Sequence, residues 1–335
     1  MGIHLNRVIN NVGILLRVFV VLVVLFGIST SYDLPSTFIF GDSLVDAGNN
    51  NYLVSLSKAN YLPNGIDFGR PTGRFTNGRT IVDIELGTGF TPPYLAPSTI
   101  GPGGRLNFDA QIDSFANTRQ DIISSIGVPA ALNLLKRALF TVTIGSNDFI
   151  NNYLAPALTF SERKSASPEI FVTTMMSKLR VQLTRLFNLG ARKIVVANVG
   201  PIGCIPSQRD ANPGAGDSCV AFPNQLAQLF NSQLKGLITD LNSNLEGADT
   251  ILLCVHTTRV AGFDNAFSAC CHVAGRFGGL IPCGPTSRLC WDRSKYVFWD
   301  PYHPSDAANV IIAKRLLDGG SNYIWPKNIR QLFQS

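Results

Sequence analysis

An α/β fold with a parallel sheet and helices on both faces is predicted by two features of the chain. Short β-branched or aromatic runs, each closed by glycine or a polar turn, recur at Thr37–Phe40, Leu139–Ile144, Lys193–Val199 and Ile251–Val255. Between them lie longer segments whose apolar residues return at helical spacing, and strands separated by helices imply βα units. The 335 residues are 45% hydrophobic and 15% charged, which suffices for one domain with a full core over residues 32–335.

Residues 1–31 hold Arg7 and Arg17, no acid, an apolar run from Val18 to Ile28, and then Ser29, Thr30 and Ser31. This pattern predicts a cleaved secretory signal peptide, because the run is too short to span a bilayer. Removing the two arginines takes the net charge from +6 to +4. Such scattered basic residues give a solvated surface and no nucleic-acid site, with at most weak attraction to acidic wall polymers or membrane surfaces.

The first run leads through Gly41 and Asp42 to Ser43, and then into Asp46, Gly48, Asn49, Asn50 and Asn51, which favour turns. Gly41 suits a point where a side chain would crowd the backbone. Ser43 therefore falls at the carboxyl end of a strand, where open α/β sheets place their ligands. From Lys58 to Ile81 the chain is rich in Gly, Pro, Asn and Arg, as expected of a surface loop walling a cleft. Arg74 and Arg79 in it are equally suited to fix the loop or to meet substrate. Helices are expected from Thr80 to Leu86, from Phe115 to Ile126 and from Pro129 to Leu135.

The second strand ends in Gly145-Ser146-Asn147-Asp148, so the Asn147 amide can donate a hydrogen bond beside Ser43. Further helices are expected over Ile170–Leu189 and from Cys219, after an irregular start, to about Leu245. All seven cysteines lie after residue 203 and none forms paired CxxC units, which argues for disulfides and against zinc. Cys204 and Cys219 can clip one loop. Cys270, Cys271, Cys283 and Cys290 can form two more bridges of undetermined pairing, and Cys254 is left as a buried thiol. Near the carboxyl end the apolar run Tyr296–Trp299 precedes Asp300-Pro301-Tyr302-His303-Pro304 and a helix over Ser305–Leu317. An Asp and a His three residues apart can fold back so that the carboxylate meets Nδ1 and leaves Nε2 for a serine.

In this order the GDS, GSND and DPYH segments resemble the plant secreted branch of the GDSL esterase/lipase family, in the SGNH hydrolase superfamily, over about Thr37 to Gly319. The resemblance implies a flavodoxin-like SGNH fold and a secreted carboxylic ester hydrolase, extracellular or in the cell wall. Ser43 is then the nucleophile, His303 the general base, Asp300 its orienting carboxylate, and the Ser43 N–H and Asn147 the oxyanion donors. It implies no cofactor and no metal. A small-molecule or lipid ester is the expected substrate and a monomer the expected state, with no membrane span after signal cleavage. Lysophospholipase or acyltransferase chemistry would use the same residues.

The chain departs from that pattern in one block. Relatives carry a segment resembling GxNFAxxGAG between the first two motifs, whose glycine supplies another oxyanion N–H. Here Tyr94–Pro102 runs directly into Gly103–Ile112, and Asn107-Phe108 is not followed by AxxGA. Gly101, Gly103 and Gly104 are the candidates to replace the N–H. A second shortening is expected between Cys254 and Phe263. These departures imply reduced activity or, as the alternative, a secreted binder of acyl or cell-wall ligands without turnover. If the lost block held an edge strand, the remaining strands could still pair.

Overall fold

The computed structural model describes residues 36–53, 57–85, 107–154, 167–253 and 262–334. The leader, the join at Pro102–Gly103, the three candidate glycines and Cys254 lie outside these residues. Ser36–Ser335 forms one compact unit.

In chain order the elements are β1 (Thr37–Gly41), α1 (Ile81–Glu85), α2 (Phe108–Ile126), α3 (Val128–Arg137), β2 (Leu139–Thr143), α4 (Pro168–Asn188) and β3 (Lys193–Ala197). They continue with α5 (Pro206–Ala211), α6 (Ala221–Asn244), β4 (Asp249–Leu253), β5 (Asn265–Ala269), β6 (Cys271–His272), β7 (Arg288–Leu289), β8 (Tyr296–Phe298), α7 (Asp306–Asp318), β9 (Ile324–Trp325) and α8 (Ile329–Gln334). The main sheet has the order β1-β2-β3-β4-β9. Its first four strands are parallel and β9 is antiparallel. This is the α/β architecture that the alternating pattern predicts.

Strand alternation sends side chains to two different cores. Phe38, Phe40, Phe140, Val142, Ile194 and Val196 join α2, α4 and α6 in one continuous apolar cluster. The Phe140 ring stacks on Phe38 at 5.0 Å and meets Phe115 edge-on at 5.3 Å. Leu139, Val195 and Ala197 point the other way, toward α7 and α8. Helices thus cover both faces.

Helix α2 starts at Phe108, earlier than the Phe115 expected. Asn107 caps it, its side chain accepting from the Ala110 N–H at 2.9 Å. Phe108, Ile112 and Phe115 then bury one stripe at helical spacing. On the side of β1 away from β2 no strand pairs with it among the described residues. There the Gln111 side chain accepts from the Gly41 N–H at 2.9 Å and donates to the Gly41 carbonyl at 3.1 Å. One primary amide thus makes the pair of bonds that a neighbouring strand would make.

The run Tyr296–Phe298 stands outside the main sheet and pairs in parallel with β5. The disulfides are Cys204–Cys219, Cys270–Cys290 and Cys271–Cys283. The last two pack with the fully buried Trp299. No helix among the described residues is long and apolar enough to cross a membrane.

Candidate active site

Ser43 follows β1 by two residues, and the bend that carries it needs glycine at 41. A Cβ there would lie 2.5 Å from the Thr143 carbonyl oxygen and 2.6 Å from Val45 Cγ2. The requirement is close approach of two strands. After Ser43 the Asp46 carboxylate accepts from the Gly48 and Asn49 N–H groups at 2.8 and 2.7 Å, which shapes the following turn.

Ser43 Oγ lies 2.7 Å from His303 Nε2. On the far side of the ring, Nδ1 is 2.7 Å from Asp300 Oδ2 and 2.8 Å from Oδ1. Asp300 Oδ1 also accepts from the Tyr302 and His303 N–H groups at 2.8 Å each, so the carboxylate is held by the backbone of the loop it orients. All three side chains are buried, and Phe75 lies against the imidazole at 5.1 Å between ring centres. The loop is tied at both ends: Trp299 N–H donates to the His303 carbonyl at 2.8 Å, and Trp299 Nε1 donates to Asn64 Oδ1 at 2.9 Å. The three residues singled out in the sequence are therefore brought together although Ser43 and His303 are 260 positions apart.

Asn147 lines the same cavity as Ser43. Its Oδ1 accepts from Asn151 Nδ2 at 3.1 Å, which leaves the amino end of the Asn147 amide to donate. The Ser43 N–H has no acceptor among the described residues. The Ser43 N–H and the amino end of the Asn147 amide are thus both free to donate, on residues that line one cavity.

Arg74 and Arg79 fix loops. Arg74 forms a two-pronged pair with Asp83 at 2.7 and 2.6 Å. Arg79 does the same with Asp306, at 2.9 and 2.8 Å, and so ties the 57–80 segment to the first turn of α7. Tyr61, Asn64 and Phe75 of that segment wall the cavity, as its composition predicts.

Two residues that matter here, Gln111 and Asn151, carry no signal in the sequence. Gln111 and Asn151 act through the partners just given. Asp42, buried beside the nucleophile, has its carboxyl pushed up from 3.8 to about 6, chiefly by burial. The Leu44 N–H and His303 oppose that rise, and Asp148 adds to it. Among the described residues no cluster of acids, histidines and cysteines is arranged to hold a metal.

A serine at the carboxyl end of a parallel-sheet strand, in one hydrogen-bonded line with an imidazole and a carboxylate from a loop outside that sheet, defines an α/β protein with the side-chain arrangement of a serine hydrolase. The family model described as GDSL-like Lipase/Acylhydrolase matches residues 37–316, and the chain belongs to that family. Among similar Arabidopsis thaliana proteins, GDSL esterase/lipase At4g16230 is 55% identical, over 89% of this chain and 91% of that protein. GDSL esterase/lipase At2g23540 is 48% identical, over 89% and 88%, and GDSL esterase/lipase 7 is 40% identical, over 89% and 92%. The chain is accordingly a hydrolase of the esterase/lipase kind.

Proposed function

We propose that the protein is a secreted, monomeric serine esterase/lipase that cleaves carboxylic esters through Ser43, His303 and Asp300. The observation that carries this reading is the line from Ser43 Oγ through the imidazole to Asp300, with both contacts at 2.7 Å. Ser43 Oγ attacks the ester carbonyl carbon while its proton passes to His303 Nε2, and Asp300 holds the ring with Nδ1–H toward itself. The tetrahedral oxyanion is met by the Ser43 N–H and the Asn147 amide. Collapse breaks the bond to the alcohol, which takes the proton from Nε2. Water activated by the same imidazole then releases the acid and restores Ser43.

Secretion is supported by the apolar leader at residues 1–31, proposed to be cleaved from the domain at 32–335, and by three disulfides, which belong to oxidising compartments. The competing reading, a binder of acyl or cell-wall ligands without turnover, draws on the departure from the family pattern between Tyr94 and Ile112. A fluorophosphonate probe separates the two readings. The folded, secreted protein is expected to label at Ser43 and to hydrolyse p-nitrophenyl esters, and Ser43→Ala to do neither. A folded sample that does not label refutes the enzyme.

A further inference from the structure

The two faces of the main sheet are filled differently. Toward α2, α4 and α6 the buried apolar side chains form one cluster. Toward α7 they fall into separate groups: one around Ile39, Val45 and Val82, one around Val195, Ala197 and Leu316, and one around Ile205, Phe298 and Ala308. All three groups contribute to the lining of a cavity of about 570 Å³, into which Ser43 and His303 also open. That volume is of the size that takes an organic ligand.

The cavity has a direction. Its floor includes Thr141 and Thr143 of β2 and Ala197 of β3, and one wall is α7. Ala308, Ile312 and Leu316 line it at successive four-residue steps, so a single helical stripe faces inward. Because α7 begins just after His303, Ala308 stands at the catalytic end and Leu316 about 12 Å further along the helix. Among the described residues, the ionisable side chains on the lining apart from tyrosine are Asp42, Lys58, Asp300 and His303, and none belongs to α7, β2 or β3.

We infer that this channel is an acyl-chain site, with Ala308, Ile312 and Leu316 setting the chain length, so that the preferred substrates are esters of acids well beyond butyrate. The inference rests on Ser43 being the nucleophile. The carbonyl carbon bonded to Oγ fixes one end of the acyl group, and the charge-free lining along α7 takes the hydrocarbon. Each buried methylene is expected to raise kcat/KM by about two- to fourfold until the channel is full.

The test compares p-nitrophenyl acetate, butyrate, octanoate and palmitate on the intact protein, on Ala308→Phe and on Leu316→Trp. Binding of a fluorescent long-chain fatty acid to Ser43→Ala, with and without the same second substitutions, is measured alongside. The expected result is an octanoate-to-acetate ratio of kcat/KM of at least tenfold, which Ala308→Phe abolishes. Leu316→Trp is expected to lower palmitate more than octanoate, and both substitutions to weaken fatty-acid binding. Retained fluorophosphonate labelling shows that the variants are folded. Hydrolysis that is indifferent to chain length in the intact protein, with no fatty-acid binding to Ser43→Ala, overturns the acyl site and leaves the esterase standing. Binding that the α7 substitutions weaken, in a protein that neither labels nor turns over, supports the site and refutes the esterase.

Discussion

Asp42 shows what a buried neighbour of the nucleophile does to the molecule. Its carboxyl titrates at about 6 in the folded chain against 3.8 ordinarily, so between those values the native state keeps a proton that the unfolded chain has lost. Stability therefore falls as pH rises through that interval and the penalty is complete above it. At about 1.4 kcal/mol per unit the penalty is on the order of a few kcal/mol. Asp42→Asn keeps an oxygen for the Leu44 N–H at 3.0 Å and carries no charge. It should be the more stable protein in denaturant titrations above pH 6 and gain nothing near pH 3. An equal gain at both would remove burial of the charge as the cause. At Asn147 the expectation is kinetic: Asn147→Ala is expected to lose about 10²- to 10³-fold in kcat with KM little changed, as for one lost oxyanion donor. Ser43, Asn147, Asp300 and His303 were legible because each stands in a short motif at a strand end or beside one. Gln111 and Asn151 were not, since their value lies in one partner each, and Gly41 is 70 residues from Gln111 in sequence.

At the scale of elements, the four parallel strands are readable from short runs rich in β-branched, aromatic and aliphatic residues, and β1, β2 and β3 are buried along nearly their whole length. β8 shows as the apolar run Tyr296–Trp299, whereas β5 and the two-residue β6, β7 and β9 are too brief or too irregular to show a period. The start of α2 was missed for a different reason. Its first turn carries Asp109 and Gln111, polar residues whose partners are Arg185 and Gly41 in other elements. Gln111 pairs with both backbone groups of Gly41 at the edge of β1. Gln111→Ala would leave a buried N–H and a buried carbonyl unpaired at Gly41, at a cost of about 1–3 kcal/mol. Ser43 lies two residues downstream, so kcat should fall along with stability. Thermal melts and ester kinetics on the variant check this, and an unchanged kcat would mean that the Gly41 bend holds its shape without the amide.

Across the whole molecule, Asp300 and His303 keep their positions because the loop carrying them is built on a disulfide-braced layer outside the main sheet. Cys270 and Cys271 N–H groups donate to the Phe298 and Trp299 carbonyls at 3.0 and 2.7 Å, so the paired cysteines hold the two residues that precede Asp300. The Cys271–Cys283 bridge closes a 12-residue separation, and Cys283 also lines the cavity while its carbonyl accepts from Tyr61 at 3.2 Å. Spacing could not choose between the pairings of four clustered cysteines, since that choice depends on β6 and β7 lying side by side. For a loop of this length the bridge is worth about 3 kcal/mol. Removing it by Cys271→Ser with Cys283→Ser should lower the melting temperature and also cut kcat, because Trp299 loses part of its packing and the Asp300 carboxylate shifts against the ring. By contrast, Arg330→Ala breaks an exposed pair with Asp318 and should cost under about 1 kcal/mol with kcat intact. Melting curves and p-nitrophenyl butyrate kinetics on both variants, run without reductant, test the link. A double serine variant that melts earlier but turns over at the parental rate below its melting point would show that the bridge stabilises the fold without positioning the imidazole.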